Sequence, residues 1–70
     1  MDRVPVRSTN LGSVGYDPIE GTLEIEFLNG RVYEYYRVPE LIFSALVAAA
    51  SPGEYFADHI KDRYRYRRLT

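Results

Sequence analysis

Thr22-Leu23-Glu24-Ile25-Glu26-Phe27-Leu28-Asn29-Gly30-Arg31-Val32-Tyr33-Glu34-Tyr35-Tyr36-Arg37 decides the fold. Residues 22–28 alternate apolar and polar, as a strand with one buried face does, and Asn-Gly is the strongest short-range hairpin signal. The register fixes where the tyrosines point, because a slip of one residue exchanges the two faces. With a two-residue Asn29-Gly30 loop, Ile25 opposes Glu34, and Tyr33 and Tyr35 lie on the outer face beside Glu26 and Glu24. With a three-residue Leu28-Asn29-Gly30 loop and a glycine bulge, Ile25 opposes Tyr33 and Leu23 opposes Tyr35. The second register gathers Leu23, Ile25, Phe27, Tyr33 and Tyr35 on one face and Glu24, Glu26 and Glu34 on the other. It keeps Glu34 out of the core, where an unpaired carboxylate is costly, and is the register expected.

Outward from the hairpin, the N-terminal residues are short apolar pieces broken by Pro5, Asn10, Gly12 and Gly15. They read as one or two short strands, around Val4–Ser8 and Val14–Tyr16. Asp17-Pro18-Ile19-Glu20-Gly21 is a turn, with a side-chain bond from Asp17 to the backbone. On the other side, Val38-Pro39-Glu40 opens a helix with proline at its first position. Leu41, Ile42, Phe43, Ala45, Leu46 and Val47 make that helix apolar nearly all round, which predicts that most of it is buried. Ser51-Pro52-Gly53-Glu54 reads as the capping box of a second helix, with Tyr55, Phe56, His59 and Ile60 on one side. Tyr64 to Leu69 alternates again, as a short strand or a terminal arm. The expectation is an α+β fold: a small antiparallel sheet, with the central hairpin at about 22–37 and one or two short N-terminal strands. Two C-terminal helices, about 39–50 and 52–63, pack against it, all within a single domain spanning 1–70.

Seventy residues leave a thin core, and a chain of this size buries only about 60% of its unfolded surface. Seven tyrosines and three phenylalanines supply much of that burial. No cysteine is present, so disulfides and thiolate zinc sites are excluded. The N-terminus lacks the basic-then-apolar run of a signal peptide, and Ala45–Ala50 is too short to span a bilayer. A cytoplasmic protein with no membrane contact is the default. The net charge of −1 argues against strong non-specific attraction to nucleic acid. The charge is uneven, however. Residues 61–70 hold five basic and one acidic side chain, and residues 17–34 hold five acidic and one basic.

A longer pattern runs through these pieces. Val6-x-Ser8-Thr9 is followed by Val14-Gly15-Tyr16-Asp17 and by Thr22-Leu23-x-Ile25-x-Phe27-x-Asn29-Gly30-x-Val32-Tyr33-x-Tyr35. Val38-Pro39, Ala49-x-Ser51-x-Gly53-x-Tyr55-Phe56 and Ile60 continue it. In order and spacing the set resembles the KTSC domain, over nearly the whole chain, including the central tyrosine-x-tyrosine motif at Tyr33-Glu34-Tyr35. Ser8-Thr9 stands where members often have two serines, so the hydroxyl is kept. That family occurs as small stand-alone bacterial proteins and at the C-terminus of some lysyl-tRNA synthetases. The resemblance implies RNA or tRNA as a partner, through that fusion, and brings no catalytic residues.

Tyr33 and Tyr35 could form a stacking platform for bases, but the expected register sets them in the core against the first helix, so their role reads as structural. Tyr36 is then the exposed aromatic. Arg63, Tyr64, Arg65, Tyr66, Arg67 and Arg68, with Lys61, have the composition of a nucleic-acid contact. The plainer account is a solvated terminus whose arginines pair with Glu24, Glu26 and Glu34. His59, alone between Asp58 and Asp62, lacks the partners of a metal site and reads as half-buried packing or capping. No nucleophile elbow surrounds Ser8, Thr9 or Ser13, and no phosphate loop forms at Gly12, Gly15 or Gly21. The reading is a non-catalytic binding module without metal or small-molecule cofactor, for RNA or another nucleic acid. The alternative is a protein-interaction or homo-oligomerisation module using a strand edge or the surface around Phe43 and Val47.

Overall fold

The hairpin of residues 22–37 forms the middle of a five-stranded antiparallel sheet in the computed structural model, which describes all 70 residues. The strands are β1 (Arg3–Pro5), β2 (Leu11–Asp17), β3 (Thr22–Phe27), β4 (Val32–Tyr35) and β5 (Tyr66–Arg68), and they lie side by side in chain order. Between β4 and β5 the chain forms α1 (Glu40–Ala48) and α2 (Pro52–His59). The result is the expected α+β arrangement, with one more strand at its C-terminal edge.

The bulged register holds. Leu23 faces Tyr35, Ile25 faces Tyr33 and Glu24 faces Glu34. Gly30 donates to the Phe27 carbonyl at 2.9 Å, and Phe27 donates to that of Arg31 at 2.8 Å. Gly30 has φ +92, which a side chain would oppose, while Asn29 is not left-handed, as the three-residue loop with a glycine bulge requires and a two-residue type I′ loop does not allow. Glu24 and Glu34 are like charges directly opposite, a destabilising pair. Arg3 Nε lies 3.2 Å from Glu24 and an Arg67 nitrogen 3.8 Å from Glu34, which offsets the repulsion from either flank.

The N-terminal strands differ in extent from expectation, β1 ending at Pro5 and β2 reaching from Leu11 to Asp17. Ser8 breaks them apart: its hydroxyl oxygen accepts from the backbone N–H groups of Asn10 at 3.2 Å and Leu11 at 3.1 Å, forming a turn. Leu11 and Val14, three residues apart, both reach the core because a bulge lies between Leu11 and Ser13. Gly53 sits against this turn, where a Cβ would lie 2.7 Å from Asn10 Oδ1 and 3.0 Å from Ser8 Oγ. Two distant pieces of the sequence pattern, Ser8-Thr9 and Ser51-x-Gly53, thus meet at one contact.

Both helices are shorter than expected. Pro39 is extended (φ −62, ψ 146) and precedes α1 rather than opening it, and Ala49 is extended after it. Alanine favours helix, but the chain must turn there to bring Ser51 and Pro52 to the start of α2, and the residue before proline disfavours helical backbone. Ser51 caps α2, accepting from the Glu54 N–H at 3.4 Å. That helix stops at His59 instead of Arg63, because residues 64–70 leave to pair with β4. The expected burial of α1 is also corrected. Only Leu46 is fully buried, while Leu41 is 77% and Val47 41% exposed. A nine-residue helix packed on α2 and β2 leaves its remaining side to solvent, whatever its composition.

The core is a single cluster. Leu11, Val14, Leu23, Ile25 and Tyr35 come from the sheet, Val38 and Leu46 from α1 and its approach, and Phe56 and Ile60 from α2 and its end. No helix is long and apolar enough to cross a membrane.

Candidate functional site

The C-terminal residues form an arm tied along β4 for its whole length. Tyr36 donates to the Arg65 carbonyl at 2.9 Å, Leu69 to that of Val32 at 2.7 Å, and Val32 to the Thr70 hydroxyl at 3.2 Å. Between these bonds Tyr35 faces Tyr66, Glu34 faces Arg67 and Tyr33 faces Arg68. Facing residues share a side of the sheet. Tyr66 and Arg68 therefore lie on the helix side with Tyr33 and Tyr35, and Arg67 lies on the outer side with Glu34.

On the outer side the acidic residues are largely occupied. Glu24 pairs with Arg3, Glu26 accepts from the Ser13 hydroxyl at 2.8 Å, and Glu34 receives both Arg67 and the Tyr36 hydroxyl, the latter at 2.9 Å. Of the arm's arginines only Arg67 reaches an acid, so the expected neutralisation of the arm by Glu24, Glu26 and Glu34 is corrected to this one pair. Arg68 Nε donates to the Thr70 carbonyl at 2.6 Å. Arg63, Arg65 and Lys61 are exposed and make no ion pair. Arg63, Arg65 and Arg67, with Tyr36, Tyr64 and Tyr66, border a shallow groove along the sheet edge.

The aromatics fall out differently from the sequence reading. Tyr36 is half-buried on the outer side, where burial and then its bond to Glu34 push its hydroxyl above the ordinary tyrosine value. Tyr64 is half-buried against the core. Tyr66 is the exposed one, at 57%. The ring partners of Tyr33 and Tyr35 lie in the sheet and on the second helix. Tyr35 meets Phe56 of α2 edge-on at 5.7 Å, Tyr33 meets Phe27 at 5.5 Å, and both rings lie within 6 Å of Tyr66. Helix α1 instead offers Phe43, stacked on Tyr16 at 5.2 Å, which removes Phe43 from the apolar surface expected around it. His59 is exposed rather than half-buried, its ring 4.4 Å from that of Tyr55. No group of three or more metal-ligating side chains comes together.

The helix side of β4 and β5 opens as a cleft of about 330 Å³. Phe27, Tyr33, Tyr35, Phe56 and Tyr66 form its apolar wall. Arg31, Lys61, Asp62, Asn10 and Asn29 line the rest. Arg31, Asn10 and Asn29 escape a sequence reading focused on the basic tail. The only signal for them was the hairpin register, which puts Arg31 opposite Phe27 at the end of the aromatic face.

Burial pushes the Tyr35 hydroxyl up to about 12, with Tyr33 and Tyr66 acting in the same direction. The folded state therefore holds this proton more tightly than the unfolded chain, whose tyrosine titrates near 10. Stability from this source is complete below pH 10 and is lost as pH rises from 10 through 12. Two units correspond to about 2.7 kcal/mol, and access of water to the ring end through the cleft reduces this to the order of 1–2 kcal/mol. Thermal midpoints at pH 9 and 11.5 are expected to differ markedly less in Tyr35→Phe than in the parent. An equal drop in both would show that Tyr35 is not the group responsible. Tyr16 and Tyr36, also shifted upward, leave part of the alkaline loss in place.

Comparison with known proteins agrees with this architecture. The KTSC domain family matches residues 7–64. An uncharacterised protein of Stutzerimonas stutzeri strain A1501 is 43% identical over 70 residues, covering 99% of each chain. A lysine–tRNA ligase of Nostoc sp. strain PCC 7120 is 40% identical over 55 residues, which make up 79% of this chain and 10% of that enzyme. The crystal structure of a KTSC domain protein from Yersinia pestis superposes with a TM-score of 0.93 at 37% identity, covering 99% of this chain and 97% of that one.

Proposed function

The chain belongs to the KTSC domain family, and from that membership we propose that residues 1–70 act as one non-catalytic binding unit whose ligand is single-stranded RNA. The observation that carries this reading is the docked arm. Pairing with β4 sets Arg65, Arg67 and Arg68 along one edge of the sheet, continued by Arg63 in the turn before it, with Tyr66 exposed among them. Cations spaced along an edge with an accessible aromatic are what a flexible phosphate backbone with unpaired bases requires. The arm's charge of +4, partly offset where Glu34 pairs with Arg67, outweighs the net charge of −1 at short range, because salt screens acids farther than about 10 Å away at 0.1 M. The occurrence of a similar segment in a lysine–tRNA ligase supports a tRNA-related ligand.

Titration of labelled tRNA and of a short single-stranded RNA at two or more salt concentrations tests this reading. Affinity is expected to fall steeply with salt, and replacing Arg65, Arg67 and Arg68 by alanine to reduce the log–log slope by about 2, at roughly 0.7 per lost phosphate contact. Absence of binding at micromolar protein in low salt removes RNA from consideration. A second reading, self-association, rests on the exposure of Leu41 at 77% and Ile19 at 92%. Light scattering across a concentration series separates the two.

A further inference from the structure

We propose that the cleft between the hairpin end and α2 receives one nucleobase of the bound strand, stacked against Tyr66, with the attached phosphate at Arg31 and Lys61. This rests on the RNA reading and adds to it a place and an orientation. At about 330 Å³ the cleft is at the small end of ligand sites, which run from about 300 to 1,000 Å³. That suits one ring system and its substituent rather than a length of peptide.

The wall is aromatic, and the Tyr66 ring leans on Tyr33 and Tyr35 at 5.6 and 5.7 Å with interplanar angles of 43° and 36°. Those contacts hold the ring in place while more than half of the residue stays exposed. A ring supported from behind and open in front is a stacking surface that loses little conformational entropy on binding. The polar lining is equally restrained. Asn29 Oδ1 accepts from the Arg31 backbone N–H at 3.0 Å, and Asn10 Oδ1 accepts from the Ser8 hydroxyl at 2.9 Å. Both amide oxygens are thereby engaged, and each side-chain NH₂ group is left as a donor for ring nitrogens or carbonyls. Asp62, held in a turn with φ +63, offers the complementary acceptor for exocyclic amines. Arg31 and Lys61 have no acidic partner, so an anionic substituent meets two unneutralised cations.

Tyr66 and Asp62 border both this cleft and the shallow groove along the arm. A strand whose phosphates follow Arg63, Arg65 and Arg67 therefore arrives at the cleft mouth, where one base turns over the β5 edge. A neighbouring copy of the chain is the alternative occupant, and the concentration dependence of the cleft amides distinguishes it.

The test follows backbone amide shifts of the whole chain during titration with guanosine and uridine 5′-monophosphates, and with ribose 5-phosphate as the base-free control. Nucleotides are expected to move the amides of Asn10, Asn29, Gly30, Asp62 and Tyr66, and ribose 5-phosphate, which keeps the phosphate but has no base to stack, to leave those of Asn10 and Tyr66 unmoved. With a short single-stranded RNA, Tyr66→Ala is expected to weaken binding roughly 5- to 150-fold, the equivalent of one lost stack, without altering the salt slope. Arg31→Gln, at an exposed position, is expected to abolish the nucleotide shifts while the fold stays intact. RNA binding with full salt dependence, a Tyr66→Ala affinity within twofold of the parent and unmoved cleft amides would overturn the cleft assignment and leave the arm reading standing. Cleft shifts with nucleotide but no affinity for RNA would uphold the cleft and overturn the arm. Concentration-dependent shifts of the same amides without nucleotide would give the cleft to a second copy and sink the proposal.

Discussion

Phe56→Ala is expected to remove about 3–5 kcal/mol of unfolding free energy, the usual cost of deleting a buried phenylalanine ring. The side chain is 6% exposed and meets Phe27 at 5.5 Å and Tyr35 at 5.7 Å, both edge-on. Each such pair adds roughly 0.5–1.5 kcal/mol beyond area burial. Phe56 is also the main tie between α2 and the aromatic face of the hairpin, so no neighbouring ring can move in to close the cavity without leaving β3 or β4. A chain of 70 residues has a total stability of roughly 3.5–10 kcal/mol, at 0.05–0.15 kcal/mol per residue. One substitution therefore takes a large share of it, and equilibrium urea unfolding should show the midpoint collapse. Leu41→Ala, at an equally apolar but 77% exposed position, is the internal control and is expected to stay within about 0.5 kcal/mol. Similar losses at the two sites would mean that α2 is not what holds the sheet face covered.

That contrast marks where the sequence was legible. The hairpin, its register and its buried face followed from alternation, one Asn-Gly and the cost of burying Glu34, all local or nearest-neighbour effects. Composition misled at α1, because Leu41 and Leu46 are chemically identical, and only the placement of α2 and β2 decides that one is buried and the other is not. The tyrosine motif was correctly set on the inner face, but its ring partner on the second helix was not foreseen. Its true partner, Phe56, lies 21 residues from Tyr35, and nothing in a periodic pattern reports which of two apolar helices will cross a given strand. Part of the cleft was illegible for the same reason. Asn10 and Arg31 come from separate segments, and neither is unusual until the fold brings them to one opening with Lys61 and Tyr66 of the tail.

The C-terminal arm is the element on which stability and the binding reading both depend. Ending the chain after Arg63 is expected to cost about 2–4 kcal/mol, although every residue of β5 is exposed. The estimate rests on ladder bonds more than on burial. The Tyr36–Arg65 and Leu69–Val32 bonds flank the three paired positions, and at roughly 0.5–1.5 kcal/mol each they and the bonds between them reach that range. Loss of Tyr66 also uncovers Tyr33 and Tyr35. The truncated chain would present β4 as an open edge bearing Val32, Tyr33 and Tyr35, a template for pairing with another chain. Urea unfolding should therefore show a lower midpoint, and light scattering should show more self-association than the full chain gives under the same conditions. Unchanged stability would mean that the arm is only laid on the sheet. The regular spacing of Arg63, Arg65 and Arg67 would then be a feature of a mobile tail, and the rigid edge on which the RNA reading depends would not exist in solution.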